Sequence, residues 1–226
     1  MKFNCLVMDP PWSFDDELKQ DKTKRGASSN YSVLDNSEIE KINIESIVEK
    51  DAILALWTPS SLLDIGFRCI NNYGFELKQT WIWVKTKQDP KEILKKNISK
   101  VLKNKNHTDK DILNEVDNFD LNDSLNFFMG RTFRQTHEVV LIGTRGKCSK
   151  FVQDKSQRSV HIYPAMKKHS EKPEELQNRL EKIFPSFSKR LELFARRQRT
   201  NWTCVGNELP PHDDIRDSII RLNALP

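Results

Sequence analysis

The chain begins with a short apolar run, Phe3-Asn4-Cys5-Leu6-Val7-Met8, that stops at Asp9-Pro10-Pro11. Proline has no N–H to give to a ladder, so a buried strand has to end there, and the polar groups that follow are delivered at a strand's carboxyl end. Four further runs, at residues 52–57, 80–84, 139–143 and 191–195, are apolar and bounded by polar or turn residues. Unbroken runs of this length suit strands covered on both faces, as in a mainly parallel sheet. Helical patterns lie between them at 37–48, 60–73 and 172–184. In the last, Pro173 suits a first turn, Glu174 and Glu175 follow it, and Leu176, Leu180, Ile183 and Phe184 recur on one face. Strands alternating with helices predict an α/β fold with a doubly wound, Rossmann-like sheet, and such sheets bind ligands at the strands' carboxyl ends.

A chain of 226 residues can bury one substantial core, whereas two full domains would both be undersized. The expectation is a single domain over 1–209, with 210–226 a C-terminal appendage. The segment 86–129 departs from the pattern. It has no aromatic residue before Phe119, carries lysines at 87, 91, 95, 96, 100, 103, 105 and 110, and then turns acidic at Asp111, Glu115, Asp117, Asp120 and Asp123. Ile93, Ile98, Val101 and Leu102 can form an apolar stripe, which favours an inserted helical arm over a mobile loop.

The formal charge of +5, from 37 basic and 32 acidic residues, is compatible with a polyanionic partner but is also ordinary for a soluble protein. Cys5, Cys69, Cys148 and Cys204 lie far apart, without the close pairs of a zinc site or the density of a disulfide scaffold, and read as reduced thiols with no metal. No signal-like segment opens the chain and its longest apolar run is far short of a membrane span, so a cytoplasmic or nuclear protein with no membrane partner is expected.

Asp9-Pro10-Pro11-Trp12 carries the chemistry. The exocyclic amine of adenine is a poor nucleophile because its lone pair is delocalised into the ring. A carboxylate accepting one amine hydrogen and a rigid carbonyl accepting the other would localise that lone pair, while an aromatic face holds the base. Asp9 and the Pro10 carbonyl can be the acceptors, with Pro11 fixing the chain direction and Trp12 the stacking group. The base would have to be unpaired or flipped to reach them. The same tetrapeptide also suits a plain tight turn, but its place directly after Leu6-Val7-Met8 favours a site.

Beyond that motif, Tyr31-Ser32-Val33-Leu34 with Asn36-Ser37-Glu38-Ile39, Leu54-Ala55-Leu56-Trp57-Thr58, Trp81-Ile82-Trp83-Val84-Lys85, Gly130-Arg131-Thr132, His137-Glu138-Val139-Val140-Leu141-Ile142-Gly143, His169-Ser170-Glu171-Lys172-Pro173, and Arg190-Leu191-Glu192-Leu193-Phe194-Ala195-Arg196 with Gly206-Asn207-Glu208 follow in order. This series resembles the MT-A family of adenine-N6 methyltransferases, named for the seventy-kilodalton subunit of the mRNA adenosine methyltransferase. The likeness covers nearly the whole chain outside the Lys-rich segment and the tail. It implies a class I methyltransferase with circularly permuted motif order, which accounts for the missing G-x-G-x-x-G in a chain with only 7 Gly.

The resemblance implies S-adenosylmethionine as cofactor, held by Met8, Asp9, Lys172, Glu192, Phe194, Arg196, Asn207 and Glu208, with Asn207 and Glu208 on the ribose hydroxyls. By residue type alone Lys172 and Arg196 read equally as solvated charges. Where relatives can carry a histidine and an asparagine that reach the cofactor, this chain has Gln198 and Arg199. Nucleic-acid contacts are expected from Tyr31, Lys95, Lys96, Arg131, Arg134 and His137. The lysines would bind phosphates without reading sequence, or form a solvated helix face, and His137 reads equally as a structural histidine. The expected activity is methylation of adenine N6 in DNA. RNA, or a non-catalytic nucleic-acid-binding subunit, is the alternative, and a homodimer or a partner subunit stays open.

Overall fold

The computed structural model describes residues 1–14, 34–128, 130, 132–166 and 170–225. Along the chain run β1 (Phe3–Met8), α1 (Asn36–Glu40), β2 (Val48–Thr58), α2 (Leu63–Asn72), β3 (Glu76–Thr86), α3 (Pro90–Leu102), α4 (Asp109–Asp117), β4 (His137–Arg145), β5 (Val160–Pro164), α5 (Glu175–Ile183), β6 (Arg190–Leu193), β7 (Thr203–Val205) and α6 (Ile215–Ala224). The strand order is β5-β3-β4-β2-β1-β6-β7. β1 runs parallel to β2 and β6, β6 to β7, and β3 to β5, while β4 is antiparallel to β2. The fold is the expected α/β, Rossmann-like one. The chain divides into two compact units, Met1–Trp81 with Val139–Gln157 and Glu174–Pro226, and Ile82–Glu138 with Arg158–Pro173.

In the first unit β1 is central, and Leu6, Met8, Leu54, Leu56, Leu141, Leu191 and Leu193 are all fully buried. Each such side chain contributes ~1.5–3 kcal/mol by leaving water, which is why the unbroken apolar runs mark these strands. α1 adds Ile39, α2 adds Cys69 and Ile70, and α6 adds Ile215, Ile219 and Leu222 to the same core. The i, i+4, i+7 spacing of those last three gives α6 an apolar stripe, and the Asp214 side chain caps it by accepting the Arg216 N–H at 2.8 Å. One face of α6 therefore packs into this core.

The helix expected over 37–48 is a correction. Asp35 and Glu38 form a capping box that starts α1, but the helix stops at Glu40. The Asn43 side chain accepts the Glu45 N–H at 3.0 Å, a local turn that competes with the helix ladder, and a 3₁₀ turn at Glu45–Ile47 leads into β2. Pro173 lies outside the first turn of α5, whose N-cap is Glu174. The strand expected over 191–195 ends at Leu193, because Phe194 takes a left-handed φ of 63°. β5 and β7 are further strands that the apolar runs did not mark.

In the second unit residues 82–86 of β3 pair with residues 160–164 of β5. α3 begins at an Asp89 cap with Pro90 in its first turn, and α4 at a Thr108/Asp111 capping box. Neither helix has a fully buried residue. Among the described residues no helix is long and apolar enough to cross a membrane.

Candidate active site

The carboxyl end of β1 delivers the Asp-Pro-Pro-Trp motif into a braced turn. The Pro10 carbonyl accepts the Trp12 N–H at 2.9 Å, and the Pro11 carbonyl accepts the Leu34 N–H at 3.2 Å. Asn36 clasps the next residue, donating to the Ser13 carbonyl at 3.0 Å and accepting its N–H at 3.2 Å. Trp12 is only 4% exposed and belongs to the main core. Its ring N–H donates to the Trp57 carbonyl at 3.0 Å, and the Trp57 ring meets Trp81 edge-on. Trp12 is thus placed as a brace beneath the motif, where the sequence suggested an open stacking face. The reason is that an indole buries a large apolar area once its single donor has a partner. Met8 and Pro10 are buried, and Asp9 and Pro11 are half-buried.

β6 lies beside β1 with Glu192 opposite Val7 and Leu193 opposite Met8. Asp9 follows Val7 by two residues, which puts it on the Glu192 face of the sheet. The Asp9 charge is felt at Glu192. Burial pushes the Glu192 carboxyl above its ordinary value, a hydrogen bond from Gln177 Nε2 at 3.1 Å and the Arg197 and Arg199 charges oppose that shift, and the Asp9 charge adds a smaller upward push. Gln177 is 3% exposed, and its Oε1 is buried without a hydrogen-bond partner among the described residues.

Past β6 the left-handed Phe194 turns the chain, and the Ala195 N–H donates to the Val205 carbonyl at 2.9 Å. Gly206 sits against this turn so closely that a Cβ there would stand 2.2 Å from the Ala195 oxygen. Asn207 and Glu208 follow, both exposed, and Glu208 pairs with Arg196. An exposed ion pair of this kind exchanges readily with solvent or ligand. The carboxyl ends of three adjacent parallel strands therefore gather Met8, Asp9, Glu192, Phe194, Arg196, Asn207 and Glu208.

The sequence profile of the family described as MT-A70 matches residues 3–110 and 119–208. The chain belongs to the MT-A70 family. The unmatched residues 111–118 fall in and just after α4. Similar proteins include the human N(6)-adenosine-methyltransferase catalytic subunit METTL3, 25% identical over 92% of this chain and 28% of its own length. An Arabidopsis thaliana N(6)-adenosine-methyltransferase MT-A70-like protein is 24% identical over 92% of this chain and 24% of its own. The type II methyltransferase M.MunI of Mycoplasma sp is 24% identical over 92% of this chain and 78% of its own. The chain thus spans about a quarter of the length of the two MT-A70 relatives and most of M.MunI.

Other positions of the MT-A70 series lie in the second unit. Lys172 is paired with Glu138 at 3.3 Å, and Glu138 also pairs with Lys85. Burial raises the Glu138 carboxyl, but the Lys172 and Lys85 charges outweigh it and hold the group below its ordinary value. Neither Lys85 nor Glu138 stood out in the sequence, where each lay inside a strand-like string. Arg134 stacks its guanidinium 4.7 Å from the Phe127 ring centre, and the His137 carbonyl accepts a hydrogen bond from the Gln135 side chain. Lys95 is exposed and paired with Glu92, and Lys96 is exposed. Tyr31 and Arg131 lie outside the described residues.

Arg199 explains one departure from the MT-A70 pattern. Its guanidinium is only 12% exposed and bonds Glu174 at 2.6 Å, Glu181 at 3.0 Å and the Asn178 side chain at 2.7 Å. Trp202 adds a 2.6 Å bond to the same Glu181. Arg199 thereby locks the turn after β6 onto α5. The concave surface lined by Glu174, Glu181, Gln198, Arg199, Thr200 and Asn201 holds none of the expected catalytic or cofactor residues.

Proposed function

We propose that this chain is a methyltransferase that moves a methyl group from S-adenosylmethionine to the N6 amine of adenine in a nucleic acid. The supporting observation is the braced Asp-Pro-Pro-Trp turn at the end of the central strand, beside the row formed by Glu192, Asn207 and Glu208. When bound, the cofactor supplies an electrophilic methyl group on sulfur. The residues of the first unit fit such a group. A turn packed on the Gly206 backbone leaves the exposed Asn207 amide and Glu208 carboxylate to grip a ribose diol, and Asp9 offers a carboxylate to an ammonium.

Asp9 also accepts one hydrogen of the target amine. The Pro10 carbonyl has a second lone pair beyond the one given to Trp12, and takes the other hydrogen. With both N–H bonds held, the nitrogen lone pair is directed out of the base plane, and the amine proton released on transfer passes to the Asp9 carboxylate. Trp12 positions the motif from the core. Lys172 enters the proposal through its motif position, and Arg134, His137, Lys95 and Lys96 as contacts to the polymer.

DNA stands first, because the chain covers most of the length of a relative named a type II methyltransferase, and type II is the nomenclature of DNA modification. RNA is the second reading, carried by the relatives named N(6)-adenosine-methyltransferases. The test is transfer of tritiated methyl groups to matched DNA and RNA oligonucleotides, single- and double-stranded, with the product nucleoside identified by mass. N6-methyladenine in one pool, lost in Asp9→Ala at an unchanged unfolding midpoint, is the expected result. Near-normal turnover by Asp9→Ala would overturn the catalytic assignment.

A further inference from the structure

Three phenylalanines of the second unit are left in solvent within seven residues: Phe127 is 66% exposed, Phe128 41% and Phe133 84%. The backbone around them is held in place. Phe128 and Gln135 form an isolated antiparallel bridge. Both legs are hydrogen-bonded to one residue of β3, the Asn126 N–H to the Lys85 carbonyl and the Lys85 N–H to the Thr136 carbonyl, each at 2.8 Å. Leu125 bridges to Thr86 in the same way. The residues that flank the rings, 125–128 on one side and 135–136 on the other, are therefore rooted on β3.

Cations attend two of the rings. The Arg134 guanidinium lies 4.7 Å from the Phe127 centroid, and the Lys85 ammonium 4.8 Å from that of Phe128. Lys87, Lys91, Lys95 and Lys96 of the same unit are exposed. Soluble proteins seldom leave a cluster of large apolar groups in water without a partner for it. The partner that fits aromatic faces interleaved with positive charge is planar and anionic, which is the chemistry of nucleotides. An apolar protein surface would have to desolvate Arg134 in order to cover Phe127.

We propose that Phe127 and Phe133, with Arg134, form a platform on which unpaired bases of the nucleic-acid substrate stack. The inference rests on the reading of the chain as a nucleic-acid enzyme and adds the state of the substrate to it. A phenyl face can stack only on a base whose own face is open, so the platform prefers single strands, or bases unstacked around the target, over closed duplex. The phosphates are met by the lysines, whose contribution falls with salt, while the stacking contribution does not.

The test is fluorescence anisotropy with labelled single-stranded and duplex oligonucleotides of one sequence, using the full chain. The Phe127→Ala/Phe133→Ala variant should weaken single-strand binding on the order of tenfold per ring, with the salt slope unchanged. Phe127→Trp/Phe133→Trp should keep or strengthen it. Both side chains are exposed, so the unfolding midpoint should not move. Parent-like single-strand affinity in the alanine variant, or an equal loss on duplex, would overturn the proposal. So would loss of self-association in sedimentation without loss of oligonucleotide binding, which would make the patch a protein interface. Methyl transfer by the parent is scored separately. Ring-dependent strand binding without methylation would sink only the enzymatic reading, and methylation with ring-independent binding only the platform.

Discussion

Replacing Gly206 with alanine probes the turn that the proposed function gives to the cofactor. The added Cβ would stand 2.2 Å from the Ala195 carbonyl oxygen, 2.7 Å from the Ala195 nitrogen and 2.9 Å from the Phe194 carbonyl carbon, against 3.4 Å or more for ordinary contact. All three neighbours are backbone atoms, so no side chain can swing aside, and the turn has to move by about an ångström. It is held by the Ala195–Val205 hydrogen bond and by a left-handed Phe194. Overpacking of this kind costs ~1–3 kcal/mol, and the strained hydrogen bond adds ~1 kcal/mol. The expected loss, ~2–4 kcal/mol, is a large part of a typical domain's ~5–15 kcal/mol.

An ångström-scale displacement of a positioned ligand costs on the order of 100-fold in rate, so methyl transfer should fall by about that factor, with donor affinity falling too. Gly74→Ala is the control. Gly74 sits at φ 78° between α2 and β3, where a Cβ would meet nothing closer than an Arg145 nitrogen at 3.7 Å. The cost there is left-handed strain of ~1–2 kcal/mol, with donor binding intact. Denaturant unfolding and S-adenosylmethionine calorimetry on both variants decide the matter. Equal stability losses with parent-like donor affinity in Gly206→Ala would refute the assignment of this turn to the cofactor.

Glu138→Gln tests the lysine-flanked carboxylate. Its folded-state value is depressed, so the stability it contributes is present above the ordinary value of 4.5 and is lost as pH falls through the folded-state value. The parent should lose more stability across that acid window than the variant, which keeps the other depressed carboxylates, and the variant should be weaker by ~2–3 kcal/mol at neutral pH after allowance for partial exposure. Parallel melting curves through the window would contradict the assignment. Arg199→Ala should lower stability by ~1–3 kcal/mol, because Glu174 and Glu181 each lose one of their two partners, and leave donor affinity unchanged. A tenfold loss of donor affinity at parent-like stability would instead give Arg199 a cofactor role.

Much of the first unit was legible because burial on both faces writes itself into sequence. The run Phe3–Met8 matches β1 residue for residue, and the runs at 52–57, 80–84 and 139–143 sit inside β2, β3 and β4. Edges were harder. β5 leaves Val160, Ile162 and Tyr163 exposed, and β7 has three residues, so neither shows an apolar run. The helix over 37–48 failed because apolar spacing cannot report the local turn that the Asn43 side chain makes with the Glu45 N–H.

The candidate site divides the same way. Sequence by itself determined the strand-ending Asp9-Pro10-Pro11-Trp12, since two prolines after an apolar run leave the backbone no other course, and it determined the order of motifs that marks the family. Only the tertiary structure decided how those residues are used. It buried Trp12 beneath the motif, set Glu192 on the Asp9 face through the β1–β6 register, paired Lys172 and Lys85 on Glu138, and turned Arg199 onto α5. Apolar patterning is local and repeats along the chain, whereas a partner for a charge or an indole N–H is chosen by whichever distant strand or helix packs beside it.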